Sequence, residues 1–313
     1  MILKIESIIC QCLNLMTLVR NIGLFVFGKE NMASGLVLEG GAMRGLFTAG
    51  VLDVLMENNV TFDAAVGVSA GAAFGVNMKS KQIGRVLRYN LRFAGKPYYA
   101  SWKSWRRSGN LYAGNFCFHI IPDKLDVFDK KTFVENPMQF WCVTTDAATG
   151  EPVYHKLRDA GYVDLEWIRA SSSIPFFANP VAIGGNYYFD GGVSDSVPYD
   201  FLMKNNFDKK VVITTQPKEY RKKQSKLFPI EKVVLREYPA VLKKLATRAE
   251  DYNAVLDEIQ RDEDDGQTFV IRPPYPLNIG TVESDKSEIK RVYEVGREEG
   301  KKILPGLVEY LKD

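Results

Sequence analysis

Residues 67–71, with the sequence GVSAG, have the types and spacing of a serine nucleophile. They match the GxSxG elbow, in which a serine lies in a strained turn between a strand and a helix and exposes its hydroxyl. Gly67 and Gly71 allow the backbone to pack closely around Ser69. The helix after the serine points its free amides at the reacting group, where they favour the negative charge of acyl transfer. A plain tight turn is the alternative interpretation, so the motif needs support from elsewhere in the chain.

A glycine-rich turn at residues 39–45, with the sequence EGGAMRG, is the second candidate element. Turns of this kind bind anions through their backbone N–H groups. The spacing matches neither the GxGxxG dinucleotide motif nor the P-loop, which argues against a nucleotide site. Beside a nucleophile such a turn forms an oxyanion hole, and we expect the amides of Gly40, Gly41 and Ala42 to be its donors. Arg44 either braces the loop or meets an anionic head group.

The third candidate is the carboxylate of Asp190. It follows an apolar run and begins the glycine turn of the sequence YFDGG at residues 188–192. An Asp-Gly pair alone is only a common turn signal. The chain has two histidines, His119 and His155, and both lie between Ser69 and Asp190 in the sequence. In the α/β-hydrolase triad the serine comes first in the sequence, then the acid, then the histidine. No histidine follows Asp190, so this chain could form such a triad only with a different acidic residue that precedes His119 or His155. Neither histidine stands in a motif, so we interpret both as ordinary surface or core residues.

The elements that position these motifs alternate between short apolar runs and helical stretches. Apolar runs predict strands at 35–38, 64–66, 140–145, 211–215 and 269–272, and charged amphipathic stretches predict helices within 230–260 and 287–312. This βα alternation argues for an α/β layered domain. No internal repeat or long linker divides residues 33–313, so we predict one domain there.

Composition excludes several classes of protein. With 46% hydrophobic and 25% charged residues the chain is ordinary for a globular protein, and disorder is not expected. A net charge of +3 in 313 residues is too small to predict a nucleic-acid partner. The four cysteines form no CxxC pair and have no metal-like spacing, so we predict no metal and no cofactor. Such thiols fit a reducing compartment, which favours a cytoplasmic location.

Residues 1–31 stand apart from this pattern. The segment 8–27 is apolar, but polar residues interrupt it, which makes it a poor membrane span, and no cleavage site follows it. Met32 precedes the first convincing strand, so residues 1–31 are either an extension upstream of the natural start or an interfacial helix that rests on a membrane.

Residues 79–107 contain nine lysines and arginines and no acidic residue, with tyrosine, phenylalanine and tryptophan interleaved. One interpretation is peripheral membrane contact, with aromatic rings in the lipid interface and cations on phosphate head groups. The other is a solvated basic helix followed by a loop whose aromatic residues pack inward. No recognised binding module accompanies these residues, so we do not predict nucleic-acid binding.

Taken in order, GGAMRG, GVSAG and DGG resemble the signature of the patatin-like phospholipase family. The resemblance includes the flanking sequence at 145–150, 170–175 and 190–195, which is similar to that of bacterial members. It extends over residues 35–313. It implies an α/β fold, a three-layer α/β/α sandwich with a mostly parallel central sheet. We therefore divide the chain into an extension at 1–31 and a patatin-like hydrolase domain at 32–313 that ends in a helical region.

The resemblance also implies roles for the three motifs. It makes Ser69 the nucleophile, Asp190 its base and Gly40 to Gly45 the oxyanion loop. Gly191 and Gly192 form the turn that carries the proton acceptor. Ala42 departs from the pattern, because many relatives have a third glycine there, but a small residue still exposes its amide.

The implied activity is that of a serine lipid acyl hydrolase, of phospholipase A or esterase type, acting on a phospholipid or another acyl ester through an acyl-enzyme. A transacylase or thioesterase that uses the same dyad is the first alternative, and an inactive lipid-binding protein on the same fold is the second. An aspartate that works alone has to have its pKa shifted by burial or hydrogen bonding. We therefore expect activity to fall at acid pH with the titration of one carboxylate.

Overall fold

The structure, a computed structural model, describes residues 33–312. The predicted extension at 1–31 and the proposed start at Met32 lie outside the described residues, as does Asp313, so the division at residue 32 stays a prediction. Within the described residues one sheet has eight strands: β1 Ser34–Leu38, β2 Ala64–Val68, β3 Gln139–Asp146, β4 Pro152–Leu157, β5 Val181–Ile183, β6 Asn186–Asp190, β7 Lys209–Ile213 and β8 Thr268–Ile271.

Ten α-helices accompany the sheet in the same part of the chain: α1 Gly45–Glu57, α2 Ala70–Lys79, α3 Arg85–Phe93, α4 Trp102–Ser108, α5 Lys130–Glu135, α6 Tyr162–Ser171, α7 Tyr199–Lys204, α8 Phe228–Val234, α9 Pro239–Asp264 and α10 Lys286–Tyr310. Short 3-10 turns lie at Ala42–Arg44 and Gly191–Val193, and a π-helical segment lies at Phe116–Leu125.

The order of strands across the sheet is β5-β6-β3-β2-β1-β7-β8, with β4 paired to β3. Strands β3, β2, β1, β7 and β8 are parallel, whereas β4, β5 and β6 are antiparallel additions. The predicted, mostly parallel sheet is therefore confirmed. Because parallel strands end at the same edge, the turn after β1 and the turn after β2 are neighbours, with Leu38 in register with Gly67.

The central strands are buried on both faces, which makes the fold a three-layer sandwich. Side chains alternate along β1, so Leu36 and Leu38 join the core formed with α1, α2 and α10. Val37 joins the opposite core, to which Tyr199 of α7 and Tyr252 of α9 also belong. The predicted α/β/α layering is confirmed.

The C-terminal helix packs against α1 at very short range. A Cβ on Gly50 would lie 2.1 Å from the carbonyl oxygen of Tyr293, and a Cβ on Gly296 would lie 2.0 Å from that of Phe47. Only glycine permits this approach of two backbones. Helix α10 is thereby part of the main core.

The stretch predicted as helical at 230–260 forms two helices rather than one. Helix α8 ends at Val234 and α9 begins at Pro239, which occupies the first helical position. Proline disfavours the helical conformation in the residue before it, and this separates the two elements. Helix α9 then crosses the sheet and contributes side chains to the site described below.

Candidate active site

Ser69 occupies the turn between β2 and α2, with φ 55° and ψ −121°. An L-residue adopts this conformation at a cost, and such strain is typical of positions that hold a reactive group. The side chain is largely enclosed, with 6% of the residue exposed. The Ser69 N–H donates to Ser171 Oγ (2.9 Å), and Ser171 Oγ in turn donates to the carbonyl of Val143 (2.6 Å). A serine 102 positions away thus stabilises the strained turn.

The two glycines of the elbow are required by close backbone contact. A Cβ on Gly67 would lie 2.6 Å from the carbonyl carbon and oxygen of Gly71, and a Cβ on Gly71 would lie 2.3 Å from the carbonyl oxygen of Leu38. No rotamer change relieves a clash with backbone atoms. Gly67 therefore lets the elbow fold tightly on itself, and Gly71 lets it approach the end of β1.

Asp190 is the last residue of β6 and is 4% exposed. Its Oδ1 accepts the N–H of Gly192 (2.7 Å). Burial raises the pKa of Asp190 to about 6, while the nearby Ser69 side chain, the Gly192 bond and the charges of Arg248 and Lys222 act in the opposite direction. The structure therefore brings the two predicted catalytic residues together in one cavity.

The backbone of Asp190 is held as firmly as its side chain. Its N–H donates to the carbonyl of Ser173 (2.9 Å), and its carbonyl accepts from Thr145 Oγ1 (2.8 Å). Gly191, which follows it, packs so tightly that a Cβ would lie 2.3 Å from the carbonyl oxygen of Val143. The predicted DGG turn is thus clamped onto β3, which also holds Ser171.

The glycine loop lies beside Ser69, as the topology requires, but its amides are not equivalent. The Gly40 N–H donates to the carbonyl of Ser196 (3.3 Å), so this predicted oxyanion donor has another partner. Among the described residues, no acceptor is found for the N–H groups of Gly41 and Ala42. Ala42 has φ 47°, which turns the loop toward the site. Gly41 and Ala42 are the two donors that remain for an oxyanion.

The other predicted loop residues have separate roles. Arg44 Nε donates to Thr215 Oγ1 (3.4 Å), so the side chain braces the loop against the residues after β7. Gly45 does not face the reacting group: a Cβ there would lie 2.7 Å from Cβ of Ala70. Its function is to let the start of α1 pack on the start of α2.

Glu39 anchors this loop and was missed as a functional residue by sequence reasoning. Tyr252 of α9 donates its hydroxyl to Glu39 Oε1 (2.7 Å), and the N–H of Thr215 donates to Oε2. The buried carboxylate is therefore fully engaged on both oxygens. The one signal in the sequence was an acidic residue at the end of an apolar run, next to the glycines.

Two cavities meet at Ser69. The apolar cavity has a volume of about 160 Å³ and extends along α2 from Ser69 to Val76. Its walls are mostly hydrophobic: Phe74, Val76, Leu111, Ile121, Leu165 and Phe177. The polar cavity has a volume of about 320 Å³ and reaches Ser69 from the side of Asp190. Charged and polar side chains line much of it, among them Arg44, Lys222, Glu231 and Arg248.

The histidines take no part in either cavity. His119 Nε2 contacts Glu166 Oε1 at 2.7 Å and its ring stacks on Tyr162. His155 Nε2 contacts Asp164 Oδ1 at 3.3 Å and its ring stacks on Trp167. Both are packed against α6. Among residues 33–312, no group of three or more His, Cys, Asp or Glu is arranged to hold a metal ion.

The basic, aromatic stretch at 79–107 divides into two parts. In the first, Lys79 Nζ is buried and donates to the carbonyls of Asn136 and Met138 (both 2.6 Å), and Arg85 and Arg88 pair with Asp126. Lys79 and Arg85 are buried and stabilise the fold, whereas the Arg88 side chain is 55% exposed beside its ion pair. In the second part, α4 exposes basic side chains together with Trp102, which is 59% exposed. In the described part of the chain, no helix is both long enough and apolar enough to cross a membrane.

A comparison with protein families places this site in context. The family model described as patatin-like phospholipase matches residues 36–203, more than half of the chain, and includes the glycine loop, Ser69 and Asp190. The chain belongs to the patatin-like phospholipase family. A second model, described as a domain of unknown function (DUF6363), matches residues 238–312, which contain α9 and α10.

Individual relatives of this patatin-like protein are distant. An uncharacterized Escherichia coli protein, YjjU, is 27% identical over 274 residues, which are 86% of this chain and 76% of that protein. The Aspergillus fumigatus protein named lysophospholipase nte1 is 26% identical over 293 residues, 88% of this chain but 18% of the fungal protein. A solved structure, VipD from Legionella pneumophila, superposes with a TM-score of 0.42 at 11% identity, covering 88% of this chain and 67% of that one.

Proposed function

We propose that the chain is a serine lipid acyl hydrolase, of phospholipase A or esterase type, that uses a Ser69–Asp190 dyad. The observation that carries the proposal is the proximity of a serine in a strained elbow to a buried carboxylate, at the point where the two cavities meet. The membership of the family and the relative named lysophospholipase support a lipid ester as substrate.

The chemistry follows from this arrangement. Asp190 accepts the proton of Ser69 Oγ as the oxygen attacks the ester carbonyl, and the oxyanion accepts hydrogen bonds from the Gly41 and Ala42 amides. Collapse of the intermediate expels the alcohol, which takes the proton from Asp190, and leaves the acyl group on Ser69. Water then attacks the acyl-enzyme with Asp190 again as base, and the fatty acid leaves.

The raised pKa of Asp190 suits this role. An ordinary aspartate is a weak base near neutral pH, whereas a carboxylate with a pKa of about 6 approaches the basicity of an imidazole while remaining mostly ionised at pH 7. Burial supplies the shift, and the Gly192 hydrogen bond and the nearby Ser69 side chain keep the pKa from rising further.

We also propose that α4 places the site at a lipid surface. Trp102 is exposed, and its ring contacts that of Phe177, which lines both cavities. Lys103, Arg106 and Arg107 on the same helix are exposed and suit an anionic interface. A lipid molecule that leaves the membrane surface at α4 would therefore enter the cavities beside Phe177.

The first test is hydrolysis of p-nitrophenyl esters of graded chain length and of a mixed phospholipid dispersion by the wild type, Ser69→Ala and Asp190→Asn. Both variants are expected to lose at least 100-fold in kcat. Asp195→Asn is the matched control, because Asp195 is half-buried, has a pKa raised to about 6 by burial, and accepts from Tyr154 away from the dyad.

Each result has a defined meaning. If Asp190→Asn keeps the wild-type rate, the dyad is refuted. If the wild type binds lipid but does not hydrolyse it, the lipid-binding alternative is supported. Product analysis separates hydrolysis from transfer, since a transacylase passes the acyl group to an acceptor other than water.

A further inference from the structure

Basic side chains cluster on one side of the dyad, where they line the polar cavity. Arg44, Lys222 and Arg248 line this cavity, and they come from three separate parts of the chain: the glycine loop, the segment before α8, and α9. Neither family model covers Lys222, which lies between the two matched segments. The fold therefore assembles a cationic wall that the three motifs do not account for.

Arg248 is held beside Asp190 without a partner of its own. Both side chains approach Gly192. A Cβ built on this glycine would lie 3.2 Å from Arg248 Nη2 and 3.0 Å from Asp190 Oδ1. The Nε of Arg248 is fully enclosed and has no hydrogen-bond partner among the described residues. An enclosed guanidinium donor without a partner costs free energy, and an anion in the cavity offsets that cost.

Lys222 is positioned by its backbone rather than by an ion pair. Its N–H donates to Asn253 Oδ1 (2.8 Å), and its carbonyl accepts from Asn253 Nδ2 (3.0 Å), which ties the segment to α9. Its Nζ lies 4.2 Å from the centre of the Tyr252 ring. Burial lowers the pKa of Lys222 to about 7, and the nearby charge of Arg248 contributes in the same direction. An anion between the two cations relieves both effects.

Basic side chains outnumber acidic ones in this cavity. Arg44, Lys222, Lys223 and Arg248 line it, against Asp190 and Glu231. Glu39 does not line it, and its two oxygens accept from Tyr252 and Thr215. The cations of the apolar cavity are different, because Arg85 pairs with Asp126 and Arg169 pairs with Glu166.

We propose that the polar cavity is a phosphate subsite, in which Arg248 and Lys222 bind the phosphate carried by the alcohol part of the substrate. This inference rests on the proposed function, since it orients an ester at Ser69. The acyl chain takes the apolar cavity along α2, and the alcohol part extends to the other side of Ser69. A guanidinium forms paired, charge-assisted hydrogen bonds with phosphate oxygens, and the lysine adds a compact charge. The substrate class is thus an acyl ester of a phosphorylated alcohol, such as a lysophospholipid.

The test compares two monomeric substrates that differ only in the phosphate: 1-octanoyl-glycerol 3-phosphate and 1-octanoyl-glycerol. The readout is the ratio of kcat/KM for the first to that for the second, measured at pH 6.5, where Lys222 with its pKa of about 7 is mostly protonated. Lys222→Met and Arg248→Gln are each expected to lower this ratio about 10- to 100-fold, since each removes a charge-assisted contact. Lys243→Met and Arg261→Gln, which make the same charge changes at exposed sites on α9, are expected to leave it within about twofold.

The ratio also excludes a different role for these cations. If Arg248 and Lys222 act only by holding the pKa of Asp190 down, both substrates lose the same factor and the ratio does not change. That result overturns the phosphate subsite. The variants are expected to fold, because each removes an enclosed charge that has no ion-pair partner.

A binding experiment keeps this inference separate from the catalytic proposal. The Ser69→Ala protein is titrated calorimetrically with both octanoyl lipids. Tighter binding of the phosphate-bearing lipid, lost when Arg248→Gln is added, supports the subsite even if the wild type proves inactive. Equal affinity for the two lipids refutes the subsite, whether or not the enzyme hydrolyses esters.

Inorganic phosphate and glycerol 3-phosphate distinguish the source of the phosphate. Inhibition of neutral-ester hydrolysis by glycerol 3-phosphate, weakened in Arg248→Gln, supports a head-group site. If inorganic phosphate inhibits through Arg248 while the lipid ratio stays unchanged in the variants, the cavity binds a free anion, and the head-group assignment is wrong.

Discussion

The backbone N–H of Ser69 donates to the side chain of Ser171, which lies at the end of α6 and is itself bonded to the carbonyl of Val143 on β3. We expect Ser171→Ala to leave the Ser69 N–H buried without an acceptor, at a cost of about 1–3 kcal/mol in the free energy of unfolding. Because the strained turn loses its support, kcat is expected to fall about 10-fold with little change in KM.

Ser80→Ala is the control for this substitution. Ser80 is also buried, but it bonds Asn77 and Gln82 at the end of α2, away from the elbow. Thermal unfolding and steady-state kinetics of both variants test the expectation. Equal kinetic losses in the two variants contradict a positioning role for Ser171.

The pKa of Asp190 predicts the pH dependence of the rate. In the proposed mechanism Asp190 acts as a base in its ionised form, so kcat/KM for a neutral ester is expected to rise with pH through about 6 and then level off. At pH 5 about one tenth of the plateau rate should remain. The measurement is a pH-stat titration of butyrate ester hydrolysis from pH 4.5 to 8.5. An inflection near 4 shows that burial does not tune this carboxylate.

The same shift predicts a gain in stability from Asp190→Asn. The pKa of Asp190 is raised in the folded state, so the folded protein binds the proton more tightly than the unfolded chain, and its stability falls as pH rises from about 4 to about 6. Removing the buried charge is expected to add about 1–3 kcal/mol to the free energy of unfolding at pH 8, with a smaller gain toward pH 4.

Urea titrations of the wild type and Asp190→Asn at pH 4, 6 and 8 measure this difference. Asp195→Asn shares the direction of the effect, because burial also raises the pKa of Asp195. A gain for Asp190→Asn that does not depend on pH points to packing rather than to charge.

The apolar cavity predicts how chain length is selected. Val76 lines this cavity seven residues after Ser69 on α2, about 10 Å along the helix axis. We expect Val76→Phe to lower the ratio of kcat/KM for a palmitoyl ester to that for a butyryl ester by about 10-fold, since excluding two methylenes costs about 1.6 kcal/mol of burial. Val76→Ala is expected to move the ratio the other way. Equal ratios in all three proteins mean that the acyl chain lies elsewhere.

Helix α4 predicts the affinity for anionic lipid surfaces. Arg106→Glu combined with Arg107→Glu is expected to weaken binding to vesicles of phosphatidylcholine and phosphatidylglycerol at least 10-fold, because each basic residue near such a surface contributes about 1 kcal/mol. Added salt should weaken the wild type in the same way. Cosedimentation measures the binding, with Tyr275→Ala, which changes an exposed aromatic residue elsewhere, as the control. Unchanged binding by the double variant removes α4 from the interface.

Local sequence was enough to predict the parts of the site whose geometry is local. The elbow at Ser69, the glycine loop and the DGG turn are short motifs between a strand and a helix or turn, and their glycines report close backbone contacts that the structure shows at Gly67, Gly71 and Gly191. The parallel strands were also predictable, since strands buried on both faces are continuous apolar runs.

Tertiary structure alone decided which distant side chains reach these motifs. Tyr252, Lys222 and Arg248 belong to no motif, and Ser171 lies in the flanking sequence at 170–175, to which no role was given. Each acts on a partner more than 50 residues away or on one in another element. The use of the Gly40 amide by Ser196 likewise depends on the packing of two loops. The pKa of Asp190 follows from burial, and burial is a property of the whole fold rather than of the residues next to it in the chain.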